Sequence, residues 1–216
     1  MQLETQPTLP QKDNTLQQSP KQGLLFVLSA PSGTGKDTVI AALKEQGMDF
    51  HVVASVTTRA PRPGETDGHP YYFVNQEQFD ELVAHDELLE HARVHDHWYG
   101  QPRQQIRDHL QAGHDVMLKI DVQGAATVRQ KLSGAIFIFL IPGSVEELVE
   151  RLTARQTETE QERQRRLLDA QNELAQQRHY DYVVENRQGQ LEDAVERLRA
   201  IMLAEHCRTQ PHYAHM

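Results

Sequence analysis

Cysteine is almost absent: Cys207 is the only one in 216 residues. No internal disulfide can staple the chain, and a reducing compartment, the cytoplasm, is the default expectation. Long apolar runs are missing too. The longest, Leu24 to Leu28 and Ala135 to Ile141, fall far short of the roughly 20 residues that a membrane-spanning helix needs, so no membrane segment is expected. Basic charge is in deficit, with 22 Lys and Arg against 31 Asp and Glu, a net charge of −9 and a pI near 5.7. A broadly basic surface for nucleic acid is therefore not expected, although a small basic pocket inside an acidic protein remains open.

Residues 1–22 mix Gln, Pro, Thr and Ser with scattered leucines and lack the continuous apolar stretch of a secretory signal, which predicts a solvated, disordered tail. After Gly23 the pattern changes. Leu24 to Leu28 is a short continuous apolar run, as in a strand buried on both faces, and it leads into a glycine-rich loop and a helical segment from Val39 to Lys44. Further buried strands are predicted at His51 to Val56, Val116 to Ile120, Ala135 to Ile141 and Tyr182 to Glu185. Helices are predicted around 103–112, 124–131, 144–155, 160–177 and 191–206. This alternation predicts an α/β fold with a parallel sheet flanked by helices. Between Thr57 and Gly100 the rhythm breaks into a Pro, Gly and aromatic stretch with a short amphipathic helix near Gln76 to Ala84, which reads as an inserted subdomain.

The segment Ala30, Pro31, Ser32, Gly33, Thr34, Gly35, Lys36, Asp37, Thr38 is a near-match to the phosphate loop G-x-x-x-x-G-K-S/T. Its glycines let successive N–H groups face phosphate oxygens, the following helix adds its positive end, and the lysine reaches the outer phosphates. Two positions depart from the pattern: Ala30 stands at the first glycine, and Asp37 stands at the hydroxyl that faces Mg²⁺, with Thr38 one residue later. Either Asp37 or Thr38 is a candidate for the metal side.

A longer pattern gives the loop its class. Ser55-Val-Thr-Thr-Arg59-Ala-Pro-Arg62-Pro-Gly-Glu, then Tyr71, Leu89-Glu90-His-Ala, Trp98-Tyr99-Gly100 and Ile120-Asp121-Val-Gln123-Gly124 resemble, in order, the signature of guanylate kinases. The resemblance covers residues 23 to about 206 and implies a P-loop core with a GMP-binding insert at 56–100, a mobile lid at 155–166 and a C-terminal tail at 207–216. It implies transfer of the γ-phosphoryl group of ATP to GMP, and to dGMP, with Mg²⁺ as cofactor, in purine nucleotide metabolism. By the same resemblance Arg59, Arg62, Tyr71 and Tyr99 hold the GMP phosphate, as suits forked guanidinium donors and tyrosine hydroxyls. Glu90 and Asp121 read the base: guanine presents adjacent N1–H and N2–H donors that a carboxylate accepts, whereas adenine presents an acceptor there. Ser55 assists, and Gln101 stands where the family has a second small hydroxyl residue. Arg151, Arg155 and Arg166 resemble the arginines of the lid and its following helix, and Asn186 the asparagine near the adenine of ATP.

One departure is paired. Lys119 replaces the first aspartate of the family's D-I-D motif, at the end of a strand expected beside the phosphate loop, while Asp37 replaces the loop hydroxyl. This looks like an exchange of polarity and predicts an Asp37–Lys119 ion pair. His91, His95, His97, His212 and His215 have spacings that raise a metal site, but without a nearby cysteine or a clear fourth ligand they read as a histidine-rich surface. Two rivals remain: a ribose bisphosphate kinase, which would not need the guanine-reading set, and a catalytically inactive guanylate-kinase-like interaction module.

Overall fold

The computed structural model describes residues 22–68, 70–94, 96–153 and 160–216. Arg155 and most of the expected lid therefore lie outside the described residues, as do the side chain of Arg166, His95, and the expected tail up to residue 21. In chain order the strands are β1 (Leu25–Ser29), β2 (His51–Val52), β3 (Ser55–Thr57), β4 (Thr66–Asp67), β5 (Pro70–Phe73), β6 (Leu88–Val94), β7 (His97–Pro102), β8 (Val116–Lys119), β9 (Ile136–Pro142) and β10 (Tyr182–Asn186). The helices are α1 (Lys36–Glu45), α2 (Gln76–Ala84), α3 (Arg103–Gln111), α4 (Val122–Lys131), α5 (Val145–Thr153), α6 (Glu160–Leu174) and α7 (Leu191–His206), with a 3₁₀ turn at Ala175–His179.

The expected parallel sheet is present, with strand order β10-β9-β1-β8-β2. Strand β1 lies at its centre, and its residues alternate between two cores. Phe26 and Leu28 join a cluster with Val39, Leu43, Val195, Leu198 and Met202 from α1 and α7. Leu25 and Val27 join Ile106, Leu110, Ala125 and Val128 from α3 and α4. Burial on both faces explains why this strand is apolar without alternation, and each such side chain contributes roughly 1.5–3 kcal/mol relative to exposure.

Because these strands are parallel, their carboxyl ends fall on one edge of the sheet, where ligands of open α/β folds bind. Leu28 is in register with Lys119, and Asn186 with Pro142. The glycine loop, the Ile120-Asp121 step and the turn after Asn186 thereby come together.

The predicted strand at 51–56 is corrected into two. His51 and Val52 pair with β8, but Ser55 to Thr57 pair with β5 and β7 in a second sheet of order β4-β5-β3-β7-β6. The apolar run serves two cores: Val53 belongs with α3 and α4, whereas Val56 packs with Phe79 and Leu88 in the second sheet's own cluster. Helix α2 begins with a reciprocal cap, in which Asn75 Oδ1 accepts from Gln78 N and Gln78 Oε1 accepts from Asn75 N.

Residues 207–216, expected as a tail, are docked. Ala214 is buried, Tyr213 packs on the α1/α7 core, His215 N donates to Ser133 O, and His212 faces the buried Glu205. Short apolar residues between polar ones gave no periodic signal of this. Helix α4 starts two residues before the expected 124 because the Asp121 carboxylate caps it, accepting from Gly124 N at 2.8 Å.

Candidate active site

The loop after β1 turns at Gly33 and Gly35, whose φ values are 85° and 95°, a region closed to most side chains. Gly35 has a second reason to be glycine: a Cβ there would meet Asn186 Nδ2 at 2.8 Å. Thr34 is buried and closes the turn by donating from Oγ1 to Pro31 O at 2.8 Å. Three parts of the chain then converge on one carbonyl. Asn186 Nδ2 donates to Thr34 O at 2.8 Å and Arg151 Nη1 at 3.2 Å, while Arg151 Nη2 donates to Asn186 O at 3.1 Å.

Lys36 opens α1 and folds back so that Nζ donates to Ala30 O at 2.8 Å. Burial lowers its pKa, opposed by the carboxylates of Glu173, Asp121 and Asp37. Glu173, near the end of α6, is half-buried and also accepts from the Ser32 backbone; desolvation raises its pKa and Lys36 pulls it down. The expected pair is formed: Lys119 Nζ lies 2.5 Å from Asp37 Oδ1.

Two cavities flank these groups. The larger, about 790 Å³, runs along Pro31 to Thr38 and is walled by Arg151, Asn186 to Gly189 and Leu191. The smaller, about 270 Å³, lies between the sheets, and its walls include Ser55, Tyr71, Glu90, Tyr99, Gln101 and Asp121. Lys36 and Asp37 line both.

Inside the smaller cavity the polar groups are incompletely paired. Gln101 Nε2 donates to Ser55 Oγ at 2.6 Å, leaving Gln101 Oε1 buried without a partner, and Glu90 Oε2 is buried without one as well. Buried acceptors of this kind cost stability unless a ligand supplies donors. Desolvation, and then the nearby Asp121, push the Glu90 carboxyl up to about 8, against the pull of Lys131. Gly124 makes room for it, since a Cβ there would stand 2.7 Å from Glu90 Oε2.

Tyr71 and Tyr99 face each other with ring centres 5.9 Å apart. Arg59 lies over the Tyr71 ring at 5.3 Å but is held by Glu65, at 2.9 Å from Nη2 to Oε1. Arg62 is exposed, and its backbone N–H donates to Glu65 Oε2 at 2.7 Å. Neither arginine is among the lining residues of the smaller cavity. Tyr71, Tyr99, Ser55, Glu90, Gln101 and Asp121 are thus assembled around one space, with Arg59 lying over Tyr71 outside that lining and Arg62 exposed.

Several residues with a structural claim on the site were not singled out from sequence. Glu65 orients the Arg59–Arg62 segment, and Glu147 Oε2 accepts from Gly143 N and Gln188 N beside the larger cavity. Arg187 also lines that cavity, paired with Glu185 at 2.8 Å. A glutamate three residues after a predicted phosphate-binding arginine was the one readable signal among these.

Known proteins resemble this chain over most of its length. The family profile described as guanylate kinase matches residues 22–205. A guanylate kinase of Caldanaerobacter subterraneus is 46% identical over 188 residues, covering 87% of this chain and 90% of that protein. One from Halalkalibacterium halodurans is 44% identical over 190 residues, covering 88% and 92%. Among solved structures, the crystal structure of guanylate kinase from Anaplasma phagocytophilum superposes with a TM-score of 0.69 at 35% identity, covering 88% of this chain and 89% of that one.

Proposed function

Because the chain belongs to the guanylate kinase family, we propose that it transfers the γ-phosphoryl group of ATP to GMP, and to dGMP, giving ADP and GDP or dGDP. The observation that carries this reading is the shared wall: Lys36 and Asp37 line both the loop cavity and the smaller one. A donor phosphate chain cradled by residues 31–38 would end where an acceptor phosphate begins, and phosphoryl transfer depends on such positioning more than on covalent chemistry.

On this reading the larger cavity takes ATP. Loop N–H groups and the start of α1 face its phosphates, Lys36 neutralises the transferring group, and Asn186 and Arg151 hold the loop open through Thr34. The smaller cavity takes GMP. Glu90 Oε2 and Gln101 Oε1 lack partners, which suits a base edge rich in donors, as guanine's N1 and N2 are. Tyr71, Tyr99, Arg59 and Arg62 would meet the acceptor phosphate, the arginines moving in from outside the cavity lining. No general base is required, because that phosphate is already anionic. Arg155 and Arg166 complete the reading as lid cations that exclude water on closure.

The residues present fit Mg²⁺ held mainly by phosphate oxygens and water. Asp37 and Thr38 are exposed hard oxygen donors beside the larger cavity, the ligand type this ion prefers. When bound, the ion supplies charge neutralisation of the outer phosphates. No helix among the described residues is long and apolar enough to cross a membrane, and a cytoplasmic location goes with the same reading.

The test is a coupled assay with ATP and, in turn, GMP, dGMP, AMP, CMP, UMP and ribose 1,5-bisphosphate. ADP release that depends on GMP supports the proposal. Turnover only with the bisphosphate, or with no acceptor, rejects it in favour of the sugar kinase or the inactive module.

A further inference from the structure

Asp37 and Lys119 stand where the two cavities meet, and they differ in their surroundings. Asp37 lines both spaces and its side chain is 83% exposed, whereas Lys119 lines only the smaller one and is 23% exposed. The ammonium is walled by protein, 5.9 Å from the centre of the Tyr71 ring, while its counter-ion stands in water. Strand β8 fixes the base of the lysine, in register with Leu28 just before the glycine loop. Its four-carbon stem leaves the charged end free to swing.

An ion pair with one partner so exposed holds weakly against a competitor. A phosphate dianion entering the smaller cavity brings about twice the charge of one carboxylate, and brings it to a place partly screened from water. The geometry points to Lys119 as an acceptor-phosphate ligand: Asp37 keeps its ammonium aimed at the junction in the empty protein, and the 5′-phosphate of the nucleoside monophosphate takes it over on binding. The assignment rests on the acceptor reading of this cavity and adds a cation to it. It makes the two partners act in opposite directions, since Lys119 would favour the phosphate and Asp37 would compete with it.

Calorimetric titration with GMP and with guanosine, without Mg²⁺ or ATP, tests this directly, because the two ligands differ only by the phosphate. Lys119→Met should weaken GMP binding about 10- to 100-fold, the range of a lost hydrogen bond to a charged group, and leave guanosine binding within about twofold. Lys119→Arg should recover most of the loss. Asp37→Asn, which frees the lysine, should tighten GMP binding by about two- to fivefold. Retained guanosine binding certifies that each variant is folded. If Lys119→Met weakens both ligands equally, or if Asp37→Asn weakens GMP as much as Lys119→Met does, the pair is structural and the assignment falls. If the wild-type protein binds GMP and Lys119→Met binds it as well, only the role of Lys119 is overturned. If the wild-type protein binds neither ligand, the acceptor reading itself is overturned.

Discussion

Glu90 should make nucleoside binding depend on pH. Its carboxyl is held near pKa 8 in the empty protein by desolvation and by Asp121, so at neutral pH the acid form outnumbers the carboxylate about tenfold. The base edge proposed for this cavity offers donors, which the ionised form accepts. Binding must therefore expel a proton, at a cost of about 1.4 kcal/mol for each pH unit below the pKa. The dissociation constant of guanosine should fall about tenfold per pH unit from near pH 6 upward and level off above about pH 8. Guanosine is the right probe, since GMP's own phosphate titrates near pH 6. Calorimetry in buffers of different ionisation enthalpy should count close to one proton released at the acid end and almost none at the alkaline end. Glu90→Gln should abolish both effects. The same carboxyl governs the empty fold. Its folded pKa lies above its ordinary value of 4.5, so its stability contribution is complete below that value and is lost as pH rises through about 8. The whole span amounts to at most about 5 kcal/mol, so Glu90→Gln should raise Tm more in alkaline than in acid buffer. Guanosine affinity that stays flat from acid to alkaline pH, with no proton released, would mean that the Glu90 carboxylate does not meet the base.

Three other substitutions separate the parts of the site. Gly124→Ala places a methyl 2.7 Å from Glu90 Oε2 and should raise KM for GMP by about 10- to 100-fold, as displacement of a positioning group does, with KM for ATP unchanged in the same steady-state assay. Asn186→Ala removes a buried bond to Thr34 O and should lower stability by about 1–2 kcal/mol, read by denaturant unfolding, and weaken ATP but not guanosine binding. Glu65→Gln weakens the hold on Arg59 and on the Arg62 backbone; it should change KM for GMP by about two- to fivefold and leave guanosine binding as it was.

What could be read from sequence follows from the range over which each feature is specified. The loop at 30–38 is local: strand, glycines and helix lie within about twenty residues, and the structure places them as expected. The parallel sheet was legible for the same reason, since doubly buried strands announce themselves as short apolar runs. The strand at 51–56 was misread because its run is continuous in composition while its residues serve different sheets, and no periodicity marks the handover at Val53 and Ala54. Contacts between distant residues were legible only where charge made them so. The Asp37–Lys119 pair, 82 residues apart, could be anticipated because two polarity changes at facing positions compensate each other. The accommodation of Glu90 by Gly124 carries no such mark, since one glycine looks like another until the carboxylate it admits is placed beside it.

The arginines mark the limit of what residue type alone can say. Their side chains suggest a phosphate ligand, yet four of the cations around the two cavities are engaged by another part of the chain. Arg59 is held by Glu65, Lys119 by Asp37, Arg151 by the Thr34 and Asn186 carbonyls, and Lys36 by Ala30 O. These cations do not share one space: Lys36 lines both cavities, Lys119 the smaller, Arg151 the larger, and Arg59 neither. On the proposed acceptor reading, a phosphate entering the smaller cavity competes with the internal partner of the cation it takes up, as with Asp37 for Lys119. Affinity for phosphate is therefore set by the difference between two sets of contacts. Removing an internal acidic partner such as Asp37 should then strengthen binding, even though it deletes a conspicuous salt bridge.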